Sequence, residues 1–179
     1  DIENRKYAQA ESKLIKQLIQ DSIKGDSHSI AASQILYSKL KFAQFKYDEA
    51  LEHINKSIHI TSENKYTSTY QKGLILKGDI FYELKDIPNC ITTFDTLLYY
   101  AQLQKNKLNT AYAWNRLAIC NLRLRNDSIA LIFNLRSDSL AYSLKETEIP
   151  GHVHFVYGIH KYLNGKYDSA LIHFFKSKE

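Results

Sequence analysis

His152, His154 and His160 form the tightest cluster among the seven histidines of this 179-residue chain. Histidine is the side chain most often used to hold a metal or pass a proton near neutral pH. On a helix His152 and His154 would point about 200° apart, so one ion could bind both only in a loop after Gly151. No His-Glu-x-x-His string and no cysteine accompanies them. They read as polar surface histidines, and no metal is expected. The two cysteines, Cys90 and Cys120, form no Cys-x-x-Cys pair and lack histidines at zinc-finger spacing. They read as buried thiols filling small apolar positions. A bond between them would need Cα atoms within about 7 Å, a condition the sequence leaves open. Gly-x-Ser-x-Gly, phosphate-loop and Gly-x-Gly-x-x-Gly strings are missing, and no acidic pair stands out from the ordinary surface charge. The expectation is a chain that is not an enzyme, with no catalytic residues and no cofactor.

With 44% hydrophobic and 24% charged residues, the composition is that of an ordinary folded domain. No run approaches the roughly 18 apolar residues of a membrane-spanning helix, and the opening Asp1-Ile2-Glu3-Asn4-Arg5-Lys6 lacks the apolar core of a signal peptide. No membrane contact is expected through this segment. The formal charge of +5 raises nucleic acid as a partner, yet lysines alternate with Asp and Glu throughout. The densest basic stretch is only Arg116, Arg123 and Arg125. A solvated surface of mixed charge is expected, and nucleic acid is the least favoured partner.

The elements that must position any site are repeats. Sliding the chain against itself by 40 residues aligns a small residue at Ala10, Ala50, Cys90, Ala130 and Ala170. Three places earlier stand Tyr7, Tyr47, Ile87 and Tyr167, with Asp127 breaking the column; four places later stand Leu14, Ile54, Phe94, Asn134 and Phe174. A second small column, Ser38, Gly78, Ala118 and Gly158, lies twelve residues before the first. Two tight spots per repeat predict two closely packed helices. The spacing places hairpins at 27–62, 66–103, 108–144 and 151–179, preceded at 1–24 by the second helix of a further repeat. Asp26 or Ser27 is the expected N-cap of the first hairpin and Asn109 that of the third. Pro88 falls in a first helical turn and Pro150-Gly151 between units. The phase of the repeat at both ends, together with the lack of methionine, leads us to expect a segment of a longer chain.

These residues resemble the tetratricopeptide repeat. Trp114-x-x-Leu117-Ala118 matches the family's opening with Ala for Gly, and Gly78-x-x-Phe81 matches its middle. Tyr157-Gly158 with Gly165-Lys166-Tyr167-Asp168-Ser169-Ala170-Leu171 and Phe174 supplies the rest. The first-helix aromatic of the family is replaced by Lys41, Asn121 and Lys161, with Phe42, Leu122 and Tyr162 beside them. The resemblance implies an all-α fold, a right-handed superhelical stack of antiparallel hairpins, here with a period of 40 residues instead of about 34. It also implies a concave groove made from first helices: Ile35, Lys39, Phe42, Ile75, Asp79, Tyr82, Asn115, Ile119, Leu122, Phe155, Ile159 and Tyr162. Such a groove would bind a protein or peptide partner, and self-association is open. The positions that grip chaperone tails in some members hold Ile35, Lys39, Leu76, Tyr112 and Arg116, so most of that clamp is missing.

Asp-Ser/Thr-apolar triplets at Asp21, Asp95, Asp127, Asp138 and Asp168 resemble the O-glycosylation signal of exported Bacteroidetes proteins. The Tyr167-Asp168-Ser169-Ala170-Leu171 phrase is similar to repeat regions of signalling regulators from that group. The expected setting is therefore the periplasmic repeat region of a bacterial membrane regulator, with a free-standing cytoplasmic scaffold as the alternative.

Overall fold

The computed structural model describes the backbone of residues 2–63, 67–144 and 148–177, and the side chains of 7–63, 67–144 and 153–177. All regular structure among the described residues is helical: α1 (Ile2–Lys24), α2 (Ser27–Ala43), α3 (Tyr47–Glu63), α4 (Thr67–Glu83), α5 (Ile87–Leu103), α6 (Lys107–Arg123), α7 (Asp127–Leu144), α8 (Glu148–Leu163) and α9 (Tyr167–Lys176). The chain divides into two compact units, Asp1–Asp86 and Ile87–Glu179. In the first, α1 packs on α2, α2 on α3 and α3 on α4, and α2 also touches α4. In the second, each of α5 to α9 packs on the next, and α6 touches α8. Within each unit, first helices therefore lie beside first helices.

The joints explain why neighbouring helices run antiparallel. After α2, Phe45 N donates to Phe42 O and Lys46 N to Lys41 O, both at 2.9 Å. This bond pair closes a helix through one residue of left-handed backbone, and Phe45 has φ 60. The same two bonds recur at 84–86, 104–106, 124–126 and 164–166, with φ of 61 at Lys85, 55 at Lys105, 62 at Arg125 and 72 at Gly165. The next helix starts at once. Lys46 O accepts from Ala50 N at 3.0 Å, Asn126 O from Ala130 N at 3.0 Å and Lys166 O from Ala170 N at 2.9 Å. Within each unit, so short a connection folds the chain back on itself.

Small residues then set the helix separation. Ala50 and Ala130 are fully buried and Ala170 is 2% exposed. Ser38 Oγ donates to Ala50 O at 2.7 Å, a bond that requires the α2 and α3 backbones to be close. A Cβ on Gly158 would lie 2.5 Å from Phe174 Cε1, so α8 meets the α9 ring where no side chain fits. In the first unit, Ile35, Ala50, Ile54, Leu76 and Ile80 form a core flanked by Phe42, Tyr47, Leu51 and Ile58. In the second, Ala111, Ala141 and Val153 pack with Leu140 and Tyr157, and Phe94 and Leu97 are buried. Burying each large side chain contributes about 1.5–3 kcal/mol. Serines of the second helices reinforce both cores: Ser57 Oγ donates to Ala31 O at 2.9 Å and Ser137 Oγ to Ala111 O at 2.8 Å.

Two sequence expectations are corrected. The N-cap of α6 is Asn106, whose Oδ1 accepts from Asn109 N at 3.1 Å, and not Asn109 itself. Asn106 follows the left-handed Lys105 and ends the preceding turn, so it is already outside the helix where a cap must stand. Pro150-Gly151 does not separate units, because α8 starts at Glu148 and carries Pro150 in its first turn. A backbone N–H is not needed there, and proline costs nothing. Asp26 caps α2 as expected, accepting from His28 N at 3.1 Å.

Candidate functional site

The groove residues separate into accessible and buried sets within each unit. On α2, Lys39 is exposed and Phe42 half-buried, whereas Ile35 is 5% exposed. On α4, Ile75, Asp79 and Tyr82 are all half-buried. In the second unit, Asn115, Ile119 and Leu122 of α6 are 1%, 6% and 4% exposed, while Phe155 and Tyr162 of α8 are exposed and Ile159 is half-buried. Ile35 belongs to the core of its unit. The four buried side chains face neighbouring helices and have no surface to offer a partner. The accessible strip consists of Lys39, Phe42, Ile75, Asp79 and Tyr82 in one unit and Phe155, Ile159 and Tyr162 in the other. Both strips end on an aromatic pair: Phe42 on Tyr47 with ring centroids 5.6 Å apart, and Tyr162 on Tyr167 at 5.5 Å.

A charged centre in the first unit was not foreseen from the sequence. Lys41 stands where the repeat pattern has an aromatic, and its side chain is only 7% exposed. Its Nζ reaches Glu11 of α1 at 2.9 Å and Glu49 of α3 at 2.7 Å. Tyr37 Oη also donates to Glu11 Oε1 at 2.8 Å. Burial works against the ammonium charge, but the hydrogen bonds to Glu49 and Glu11 outweigh it and hold Lys41 above the usual lysine range. The hydrogen bonds from Lys41, and for Glu11 also from Tyr37, hold both carboxyls below the usual carboxylate range. Three helices are thus tied through one cation. Beside this centre lies an open pocket of about 510 Å³ lined by Tyr7, Glu11, Gln44, Phe45 and Lys46 among others. Gln44 Oε1 is buried at its edge, with no hydrogen-bond donor among the described residues.

The histidines rearrange relative to expectation. His154 of α8 faces His173 of α9, Nδ1 to Nδ1, at 3.3 Å. His160 is not part of that pair, and the His152 side chain lies outside the described residues. Burial, and after it the nearby His154, Lys176 and Lys161, hold the His173 imidazole below the ordinary histidine value. Among the described residues no three His, Cys, Asp or Glu side chains converge as a metal site would require. Cys90 and Cys120 do come together, with Sγ atoms 2.9 Å apart.

No protein-family model matches the chain, and no curated protein does. Among solved structures, that of BtubC (BKLC) from P. vanneervenii is similar: the TM-score is 0.83 over 98% of this chain and 73% of that one, at 16% sequence identity. At such identity the likeness concerns the fold alone. Among the described residues the fold is all-helical and repeat-like, with neighbouring helix pairs stacked within each unit.

Proposed function

We propose that this chain is a tetratricopeptide-like module with a 40-residue period and a right-handed superhelical course, and that it binds a peptide or protein segment along its first helices without catalysing a reaction. The observation that carries this reading is the accessible apolar and aromatic strip on first helices, in particular Phe155 at 43% and Tyr162 at 57% exposure on α8. Aromatic rings gathered with other apolar side chains in one strip can anchor a partner, whereas single exposed rings carry no such meaning. Support for the register comes from the left-handed residues that close the first helices, Phe45, Lys85, Arg125 and Gly165, each 40 positions after the last. It comes also from the matched serine bonds at Ser57 and Ser137. The setting we favour is the repeat region of a bacterial signalling or transcription regulator, which sequencing of the full-length gene tests through a downstream membrane span with a kinase or DNA-binding domain.

The binding reading is tested by placing p-benzoylphenylalanine at Tyr162, on the strip, and separately at Tyr142, which is 86% exposed on α7. Irradiation in cells of the source organism should give a discrete cross-linked band from position 162 and none from position 142. Equal labelling at both positions, or none at either, removes the strip as the binding surface.

A further inference from the structure

The geometry points to a disulfide between Cys90 of α5 and Cys120 of α6, a covalent staple inside the second unit. The chain has two cysteines in 179 residues, and the fold brings those two together. Their Sγ atoms lie 2.9 Å apart, closer than the ~3.5–4.0 Å at which even the smaller carbon atoms rest without a bond. Both side chains are buried, at 0% and 1% exposure. Packing alone does not ask for sulfur here. The positions 40 residues earlier are Ala50 and Ile80, and these two share the core of the first unit as ordinary apolar neighbours. Cys90 occupies the small-residue column that lets α5 and α6 approach, and the two sulfurs, 2.9 Å apart, have only about 0.9 Å to close to reach an S–S bond.

The chemistry is a two-electron oxidation by a small-molecule disulfide such as oxidised glutathione. One protein thiolate attacks the glutathione disulfide, forming a protein–glutathione bond and expelling one glutathione thiolate. The second protein thiolate attacks the protein sulfur of that mixed disulfide and expels the second glutathione. Two protein thiols become one disulfide, one oxidised glutathione becomes two reduced, and the two thiol protons pass to the departing glutathiones. The first exchange takes place while the chain is folding or locally open, because the closed helices cover both sulfurs. Once formed, the bond is shielded from reductant by the same burial and closes a 30-residue loop between α5 and α6.

The test uses the whole chain, reduced and then equilibrated with oxidised glutathione under native conditions. After quenching and denaturation, N-ethylmaleimide should add nothing, and the intact mass should be about 2 Da below that of the dithiol protein. Trypsin should release residues 86–105 joined to 117–123. The oxidised protein should keep its helical circular dichroism and melt at least ~5 °C above the reduced one. The Cys90→Ala and Cys120→Ala variants, each folded by the same spectral criterion, should lose that redox-dependent shift. Two maleimide adducts after oxidation, glutathione held separately on each cysteine, or a bond that forms only with loss of helical signal would each overturn the proposal.

Discussion

Asn115 is the residue where the structure departs most from what its column leads one to expect. It is 1% exposed, and among the described residues neither its Nδ2 nor its Oδ1 has a hydrogen-bond partner. The positions 40 and 80 residues earlier and 40 later carry Ile75, Ile35 and Phe155. A buried amide with no partner forfeits its hydration for nothing in return, about 1–3 kcal/mol. Asn115→Leu keeps the branched shape of the side chain and should raise stability to denaturant by up to about that amount, less what the larger methyls cost in packing; a midpoint that falls would mean that overpacking wins at this site. His173 gives a second test at this scale. Its folded value is depressed, so its contribution is present above the unfolded histidine value near 6.5 and is lost as pH falls through the folded value. His53, depressed chiefly by burial, titrates in the same sense. The melting temperature should therefore decline on going from pH 7.5 to 5.5, and His173→Gln should flatten part of that decline. The carboxylates Glu11 and Glu49 act only at lower pH, because their values lie below the usual ~4.3. An unchanged slope in the variant would remove His173 as a source of the decline.

At the scale of the helix pair, the small columns were legible in the sequence and the turns were not. Ala50, Ala130 and Gly158 could be read because close packing leaves one solution, a side chain too small to hold helices apart. Ala130→Leu should cost roughly 1–3 kcal/mol by overpacking, seen as a lower melting temperature with helical signal retained. An unaltered melt would show that α7 has slack at this contact. The joints are harder to read because, among the described residues, Gly25 and Gly165 announce their left-handed backbone, while Phe45, Lys85, Lys105 and Arg125 adopt it without a glycine. Their two closing hydrogen bonds offset the steric cost of roughly 1–2 kcal/mol that an L-residue meets there. The Lys41 centre was hidden for a different reason. Glu11 and Glu49 lie on helices to either side of α2, 30 and 8 positions away in sequence, a spacing no helical period links to Lys41. The buried groove positions failed through the breadth of the apolar stripe. On α6 it wraps far enough that Ile119 and Leu122 pack inward instead of lining a surface.

For the chain as a whole, the unresolved competitor to a protein partner is nucleic acid, suggested by the formal +5. Counting charges overstates what a phosphate backbone could use. Lys41 is enclosed by Glu11 and Glu49, Lys46 pairs with Glu49 at 3.3 Å and Lys56 with Glu52 at 2.6 Å. Arg116 lies over the Tyr112 ring at 5.0 Å, with its Nε donating to that hydroxyl at 2.9 Å, and Arg136 lies over Trp114 at 6.0 Å. Arg116 is one of the three arginines in the densest basic stretch, and its guanidinium, still charged, is held along its own helix on Tyr112. A nucleic-acid binder releases about 0.9 counterion per phosphate contacted, and its affinity then falls steeply with salt. The expected result is no mobility shift of duplex DNA or single-stranded RNA at 50 mM salt and micromolar protein. A shift whose affinity drops by several decades per decade of salt would instead require a continuous basic face, and would displace the peptide strip of Phe155 and Tyr162 as the principal reading.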